Sequence, residues 1–529
     1  MLYTSKKTES ADGPSPGTTT KEKTMTFIDN LLNKITMYRL VLYVLGVLAA
    51  IATIFGALQI LPYDPISLLF SIAVLVAVSW LTNKIFADAF HTQTNIESTY
   101  ITALILALII APVAPRDLTG ISFLIWAAIW ATASKYILAV NKKHLFNPAA
   151  FAVALTALTI NQSATWWIGG NVPMMAFVII GGLLIVRKIR RGDLMLAFFS
   201  AAIISILAGS LGENPLVTIE KAALHAPLFF FAFVMLTEPL TTPPTRGKRI
   251  AYGAFVGVLF APWIHVGSLY STPELALLAG NVLAYILSPK AKYILKLKRI
   301  EKIGDGMYDF VFMKPPLKFD PGQYLEWTLG HDRTDSRGNR RYFTIASSPT
   351  EPNLRLGIKF YEKPSSFKKK MLELAPGDEI MSGQLAGDFI LPRDKKKELV
   401  FIAGGIGITP FRSMVKYLSD HGEKRSIVLF YSNKTEDEIA YRDVWDDAAQ
   451  TIGLKTIYAL TRADKTPLKN DEHQGRIDGE LIRREVLDYR DRMFYISGTH
   501  AMVVSTEATL HSMGVPRSQI KTDFFPGFA

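Results

Sequence analysis

The chain has 529 residues, 49% of them hydrophobic and 20% charged, with 58 lysines and arginines against 46 aspartates and glutamates, a formal net charge of +12. Its mean hydropathy of +0.22 is high for a soluble protein. Cysteine is absent, which excludes disulfides, cysteine-held iron–sulfur clusters and cysteine zinc sites within the chain. The basic excess falls mostly in short loops between apolar segments and in the first forty residues, with no accompanying aromatic-plus-basic surface pattern. It therefore reads as membrane topology, not as nucleic-acid binding.

Residues 1–38 are rich in Ser, Thr, Lys, Pro and Gly and lack an apolar core followed by a small-residue cleavage site. They read as a disordered cytosolic tail. Apolar segments able to enter roughly 30 Å of hydrocarbon then begin near Arg39, Ile66, Ser98, Thr119, Ala149, Val172, Asp193, Ala226, Ile250 and Pro273. About ten crossings are expected, two or three of them short. With the N-terminus inside, the inner loops carry Lys84; Lys142 and Lys143; Arg187, Lys188, Arg190 and Arg191; Arg246, Lys248 and Arg249; and Lys290, Lys292, Lys296, Lys298 and Arg299. The outer loops carry only Arg116 and Lys221. That asymmetry puts both termini in the cytosol.

Two short segments share a pattern. Thr102–Pro115 ends in two prolines, Phe231–Pro244 ends in three, and Glu97 and Glu238 accompany them. Paired, proline-interrupted segments point to an inverted repeat with a functional centre near the midplane; the plainer reading is that proline ends each helix at the interface. Lys135 sits toward the inner end of the fourth segment, where it can snorkel or contact an anionic cofactor group. His91, His144, His225 and His265 are single and near segment ends, a poor basis for a bis-histidine haem stack.

Three stretches, ESTYITALILALIIAPVAP, KHLFNPAAF (Lys143 to Phe151) and FVMLTEPLTTP, carry a resemblance. Over nearly all of Arg39 to Pro289 the chain resembles the B subunit of the Na⁺-translocating NADH:quinone reductase and the D subunit of the Rnf complex. That family attaches FMN to a threonine in D-x-x-S-G-A-T. The matching TINQSATWWIGG makes Thr165 the candidate, with Ser163 for glycine, Gln162 for serine and Thr159 at the aspartate position. Covalent FMN at Thr165, a non-covalent flavin or quinone nearby, and an interfacial Trp166–Trp167 belt with no cofactor all remain open.

From about Tyr293 the pattern changes to short β runs: IEKIGDGMYDFVFMKP, FDPGQYLEWTL, RYFTIASSP and LRLGIKFYEK suggest a small barrel. After Pro392 strands alternate with helices, which predicts a parallel α/β fold. GGIGITP (Gly404 to Pro410) follows a buried strand and opens a helix, so its glycines let the backbone approach phosphate at a helix N-terminus.

This order resembles the ferredoxin–NADP⁺ reductase superfamily over essentially all of Tyr293 to Ala529. Its flavin motif R-x-Y-(S/T)-x-x-S appears as Arg341, Tyr342, Phe343, Thr344, Ile345, Ala346, Ser347. The resemblance implies that Arg341 grips the FAD pyrophosphate, Phe343 stacks on the isoalloxazine in place of the usual tyrosine, and Thr344 serves the flavin N5 edge. Gly322, Gln323 and Tyr324 match the turn beside the flavin, and Ser365 and Ser366 the polar pair at the pyrophosphate. Gly404, Gly405, Gly407, Thr409 and Pro410 match the dinucleotide turn. By the same resemblance Ser497 and Gly498 stand at the nicotinamide, and Phe524, Phe525 and Phe528 stand where a C-terminal aromatic shields the flavin, with plain core as the equal alternative. NADH and NADPH both remain open: Lys434 and Arg462 suit a 2′-phosphate, Glu436 and Asp437 a free 2′-hydroxyl.

The expected architecture is a polytopic α-helical membrane domain (39–289) fused to a ferredoxin reductase-like module. That module comprises a FAD-binding β-barrel (293–392) and an NAD(P)-binding α/β domain (393–529). The expected activity moves electrons from cytosolic NAD(P)H through FAD to an FMN or quinone site in the membrane domain. Alternatives are a redox-driven Na⁺ or H⁺ transporter and a membrane-anchored flavin or quinone reductase. Expected partners are the lipid bilayer of a cell membrane and a quinone or downstream carrier protein, with partner subunits allowed and nucleic acid and metal not expected.

Overall fold

The structure is a computed structural model that describes residues 28, 32, 35–90, 96–140, 143–288, 292–331, 335, 338–362, 364–462, 469 and 471–523. Its first part is helical: α1 Met37–Ala57, α2 Pro65–Ala89, α3 Ile96–Ile109, α4 Leu118–Ile137, α5 Pro148–Ile160, α6 Val172–Ile189, α7 Gly192–Gly209, α8 Pro215–His225, α9 Arg246–Leu259 and α10 Pro273–Leu287. Local sequence sets the starts. Asp64, Asn147 and Thr272 each accept a backbone N–H in the first turn of the helix they precede, and each is followed by proline at a position where its missing N–H costs nothing.

Among the described residues, five helices (α1, α2, α4, α6 and α7) are long and apolar enough to cross a bilayer, or up to six spans if the pair bent by 66° at residues 215–235 counts as one. The expected ten segments are all helical over part of their length, but α3, α5 and α10 have only 14, 13 and 15 residues. The two proline-rich segments are where helices break. After α3 the chain is irregular from Ile110 to Ala114 and turns at Pro115. The freed carbonyls there are satisfied from the 165–168 segment: Thr165 and Trp166 N–H donate to Ile109 O, and Ile168 N–H to Leu108 O. Trp167 Nε1 adds bonds to Ala107 O and Ile110 O. Irregular backbone at this depth persists because protein, not lipid, supplies its partners. The second break follows a π-helical turn at Phe231–Met235. Trp166 and Trp167 form no interfacial belt, since both are buried, with Trp166 Nε1 bonded to Glu274.

Beyond residue 291 lies a six-stranded antiparallel sheet of β1 Lys292–Gly304, β2 Met307–Met313, β3 Tyr324–Thr328, β4 Arg340–Thr344, β5 Asn353–Lys359 and β6 Glu379–Ala386, in the order β4-β3-β6-β1-β2-β5. Ala346 N–H donates to Arg355 O just past β4, drawing the two edges together. Next comes a parallel sheet of β7 Leu399–Gly404, β8 Ile427–Asn433, β9 Lys455–Leu460, β10 Glu472–Gln474, β11 Met493–Ser497 and β12 Ile520–Asp523, in the order β10-β9-β8-β7-β11-β12. The first five residues of β7 are buried, as suits a strand covered on both faces. Helix α11 is Ser366–Leu372, α12 Thr409–Asp420, α13 Arg442–Thr451, α14 Gly479–Glu485 and α15 His500–Ser512.

The two sheets are held at a fixed angle by buried polar bonds. Arg412 on α12 makes two bonds to Glu351, of 2.6 and 2.9 Å, and a third to Ala346 O. Tyr441 donates to Asp309, which also faces Arg355. Burial pushes the Asp309 carboxyl up, against the pull of Tyr441 and the two arginines.

Candidate functional site

In the parallel sheet the chain runs outward from β7 through β8 and β9 to β10, then returns to place β11 on the other side of β7. Such a reversal leaves a crevice at the carboxyl ends of the two central strands. Here those ends are Gly404 and Ser497, and Ala403 pairs in register with Ser497. A side chain at Gly407 would put its Cβ 2.5 Å from Ser497 O and 2.7 Å from Gly498 N, and Gly405 adopts φ +52° with open space beside it. Only glycine serves this tight approach without strain. Thr409 Oγ1 closes the turn onto Ile406 O, and Pro410 starts α12, where it is buried.

A cavity of about 1450 Å³ opens from this crevice and is walled by three parts of the chain. The parallel sheet contributes Gly404, Gly405, Gly407, Thr409, Ser497 and Gly498. The antiparallel sheet contributes Tyr324, Arg341, Tyr342, Phe343 and Thr344. The helical part contributes Tyr38, Arg39, Arg190, Arg191, Thr242 and Arg249, among others.

Alternation along β4 divides its side chains. Arg341 and Phe343 share the face that meets Phe367, with the Arg341 guanidinium 5.2 Å and the Phe343 ring 6.0 Å from that ring. Arg340 and Tyr342 share the opposite face. The expected flavin residues Arg341, Phe343 and Thr344 thus come together on the cavity wall with the expected nicotinamide residues Ser497 and Gly498. Other expected residues lie elsewhere. Gln323 Nε2 donates to Gly387 O and its Oε1 accepts from Asp320 N–H, which fixes the turn. Ser347 Oγ accepts from Arg355 N–H. Ser365 is fully buried as the N-cap of α11. Ser366 Oγ is engaged by His331 and by Asp335 N–H, while its own N–H donates to the Asp335 carboxylate. Phe525 lies outside the described residues.

Thr165 is remote from this cavity. It is exposed in the loop that leads to the N-terminal end of α6, its Oγ1 bonded to Ile109 O. Arg190 follows the other end of that 18-residue helix, about 27 Å away along its axis. Lys135 does not snorkel: its Nζ donates to Ser98 O and Thr102 Oγ1 on α3.

Sequence reasoning missed the seam between the helical part and the reductase-like part. Tyr38, in the first turn of α1, accepts from Arg340 Nη1 at 3.4 Å, and the guanidinium lies 5.7 Å from its ring centre. Arg340 also faces Glu326 at 3.5 Å. Tyr342 donates to Glu326 at 2.8 Å and meets Tyr324 edge-on at 5.7 Å. Burial and the Glu326 charge raise the Tyr342 phenol far above its ordinary range. A second tie forms at Arg249, which donates to Asp193 on α7 and to Asp388 after β6, while Arg246 N–H donates to Asp388. Arg191 closes the inner wall by donating to Thr242 Oγ1 and Pro243 O. The only hint in the sequence was the doubled arginine before the flavin motif. The basic loops carried a topological signal that concealed their second use.

Residues 401–508 match the model of the oxidoreductase NAD-binding domain. The chain carries an oxidoreductase NAD-binding domain. It is 26% identical over 214 residues to the flavohemoprotein of Bacillus subtilis (strain 168), covering 40% of this chain and 53% of that protein. With the flavohemoprotein of Rhodopirellula baltica the identity is 26% over 227 residues, with 40% and 53% covered. The chain thus spans about half the length of these curated relatives. Among solved structures, the FAD/NAD-binding domain of nitric oxide dioxygenase from Vibrio cholerae aligns at 18% identity and a TM-score of 0.39, over 44% of this chain and 98% of that one. The flavohemoglobin of Malassezia yamatoensis aligns at 18% and 0.41, over 66% and 98%.

The wall residues fit FAD and a nicotinamide dinucleotide. The glycine turn has no room for a side chain at Gly404 or Gly407, Arg341 offers a planar cation to an anion, and the cavity exceeds the roughly 300–1,000 Å³ that a single drug-sized ligand occupies.

Proposed function

We propose that the chain is a membrane-bound flavin oxidoreductase that takes hydride from cytosolic NAD(P)H and delivers electrons to an FMN or quinone held by its own membrane domain. The observation that carries this reading is the shared cavity, in which the flavin strand and the inner ends of the membrane helices form facing walls. A reductase needing only a soluble acceptor has no use for such a wall.

In this account residues 39–289 form the membrane domain with about ten segments in an inverted repeat, 293–392 hold FAD, and 393–529 hold the dinucleotide. Both termini are cytosolic in the cell membrane, after a tail at 1–38. FAD, when bound, supplies two-electron acceptance and one-electron release. Arg341 anchors its pyrophosphate, Phe343 packs on its ring, and Thr344 presents a hydroxyl beside it. Gly404, Gly405 and Gly407 admit the dinucleotide phosphates to the N-terminus of α12. Ser497 and Gly498 position the nicotinamide at the crevice, where the sheet-to-sheet bonds of Arg412 and Tyr441 hold the two halves in register. Tyr38, Arg191 and Thr242 close the side from which electrons leave.

The test is NAD(P)H oxidation by the full chain in proteoliposomes whose only acceptor is a quinone confined to the bilayer. Steady turnover supports the reading; turnover with soluble acceptors alone sinks it. A flavin attached at Thr165 gives a fluorescent band on a denaturing gel that Thr165→Ala removes, and its absence from the parent protein strikes Thr165 from the account.

A transport reading is favoured by one observation. Glu238, at the second helix break, accepts from Asn147 at 3.0 Å and Thr241 at 3.1 Å and lies 3.2 Å from His144. A dependence of turnover on Na⁺ or on the proton gradient would support coupling through this cluster.

A further inference from the structure

Between α4 and α5 the chain makes a tight antiparallel hairpin in which Val140 pairs with Lys143. Lysines in inner loops normally extend into water; Lys248, on the same side, is exposed. Lys143 does the opposite. It is only 5% exposed, and its Nζ has no hydrogen-bond partner among the described residues. An ammonium held this way is unfavourable unless it gives up its proton or gains a partner.

Lys143 lines a second, small cavity of about 20 Å³, together with His144, Thr241, Asn281, Tyr285 and Ser288. That is room for one water molecule with several polar partners. His144 in turn faces Glu238. From the reductase side, Glu326 attracts a charge on Lys143, while Lys292 and Arg340 repel it. Tyr285 and His144 line the same small cavity, and Glu238 faces it through His144. Glu326 and Arg340 also line the large cavity, so the same charges act on the cofactor space and on Lys143.

We propose that Lys143 is a proton-exchange site that takes up a proton from water when negative charge builds up in the large cavity on flavin reduction, and returns it when the electrons leave. The step is a protonation only: the neutral amine gains H⁺ from solvent, through the small cavity, and becomes the ammonium. Burial already pushes the Lys143 ammonium down to about 7, so a modest change in field at neutral pH is enough to tip its proton occupancy. The idea rests on the flavin reading above, but not on any particular acceptor beyond it.

The experiment is the pH dependence of the FAD midpoint potential in the full flavin-loaded chain, by spectroelectrochemistry from pH 6 to 9, for the parent, Lys143→Met and Lys143→Arg. The parent is expected to show a steeper slope near and above pH 7, because reduction binds extra proton. Both variants lose that excess slope and depart from the parent in opposite directions: Lys143→Arg, always charged, raises the midpoint at high pH, where the parent amine is neutral, and Lys143→Met, always neutral, lowers it at low pH, where the parent carries the ammonium. A shared structural defect would move both the same way. Coincident slopes in all three proteins, or shifts of one sign, overturn the proposal. Failure of bilayer quinone reduction leaves these midpoints unchanged, so the two ideas fall separately.

Discussion

Tyr38 and Arg340 are 302 positions apart in sequence and meet across the seam, phenol oxygen to guanidinium at 3.4 Å with the cation 5.7 Å from the ring centre. One belongs to the first turn of α1 and the other to the flavin strand. The pair combines a hydrogen bond with a cation–π contact, together about 1–2 kcal/mol when desolvated. Tyr38→Phe keeps the ring and should retain most electron delivery to a bilayer acceptor. Tyr38→Ala should reduce that delivery roughly tenfold while ferricyanide reduction, which needs only the soluble side, stays within about twofold. Steady-state rates with the two acceptors check this.

Arg249 ties α7 to the reductase through Asp193 and Asp388, with its own side chain 12% exposed. Arg249→Ala leaves Asp193 without its cation in a half-dry site and should cost about 2 kcal/mol of stability. Thermal unfolding in detergent should show the earlier loss.

Arg341 is the cation proposed for the FAD pyrophosphate. Charged hydrogen bonds contribute about 1.5–3 kcal/mol, so Arg341→Ala should weaken FAD binding by roughly 10–100-fold. Flavin content after dialysis, with added FAD restoring NAD(P)H oxidation, measures this directly.

Burial pushes the Asp523 carboxyl up to about 7, with Arg190 opposing it. The ordinary unfolded value is about 3.9, so the folded protein binds this proton more tightly than the unfolded chain. Stability from this group is therefore full below the unfolded value and is lost as pH rises to about 7. Asp523→Asn should remove that component. The melting temperature of the parent should fall more between pH 5 and pH 8 than that of the variant.

Much of the reductase was legible because its chemistry is local. The glycine turn before α12 and the Arg341–Thr344 strand are contiguous stretches whose backbone requirements show in residue type. The membrane segments were legible as apolar runs. Their number was not, because α3 ends where a neighbouring segment satisfies its carbonyls, a tertiary event that hydropathy does not carry. The interfacial belt of Trp166 and Trp167, one of the open alternatives, gives way to burial because their indole N–H groups find partners on α3 and at Glu274. Ser365 and Gln323 matched a motif yet spend their polar atoms on a cap and a turn. The Tyr38–Arg340 and Arg249–Asp388 ties were invisible, since nothing in a basic loop distinguishes a cation that faces water from one that faces another domain.

The central claim is that electrons pass from the reductase into the membrane domain across this seam. The most direct measurement is the ratio of bilayer-quinone to ferricyanide reduction by the full chain carrying both Tyr38→Ala and Arg249→Ala, at equal FAD content. The account predicts that the ratio falls at least tenfold with ferricyanide reduction preserved. An unchanged ratio would contradict it and leave the helical part as an anchor.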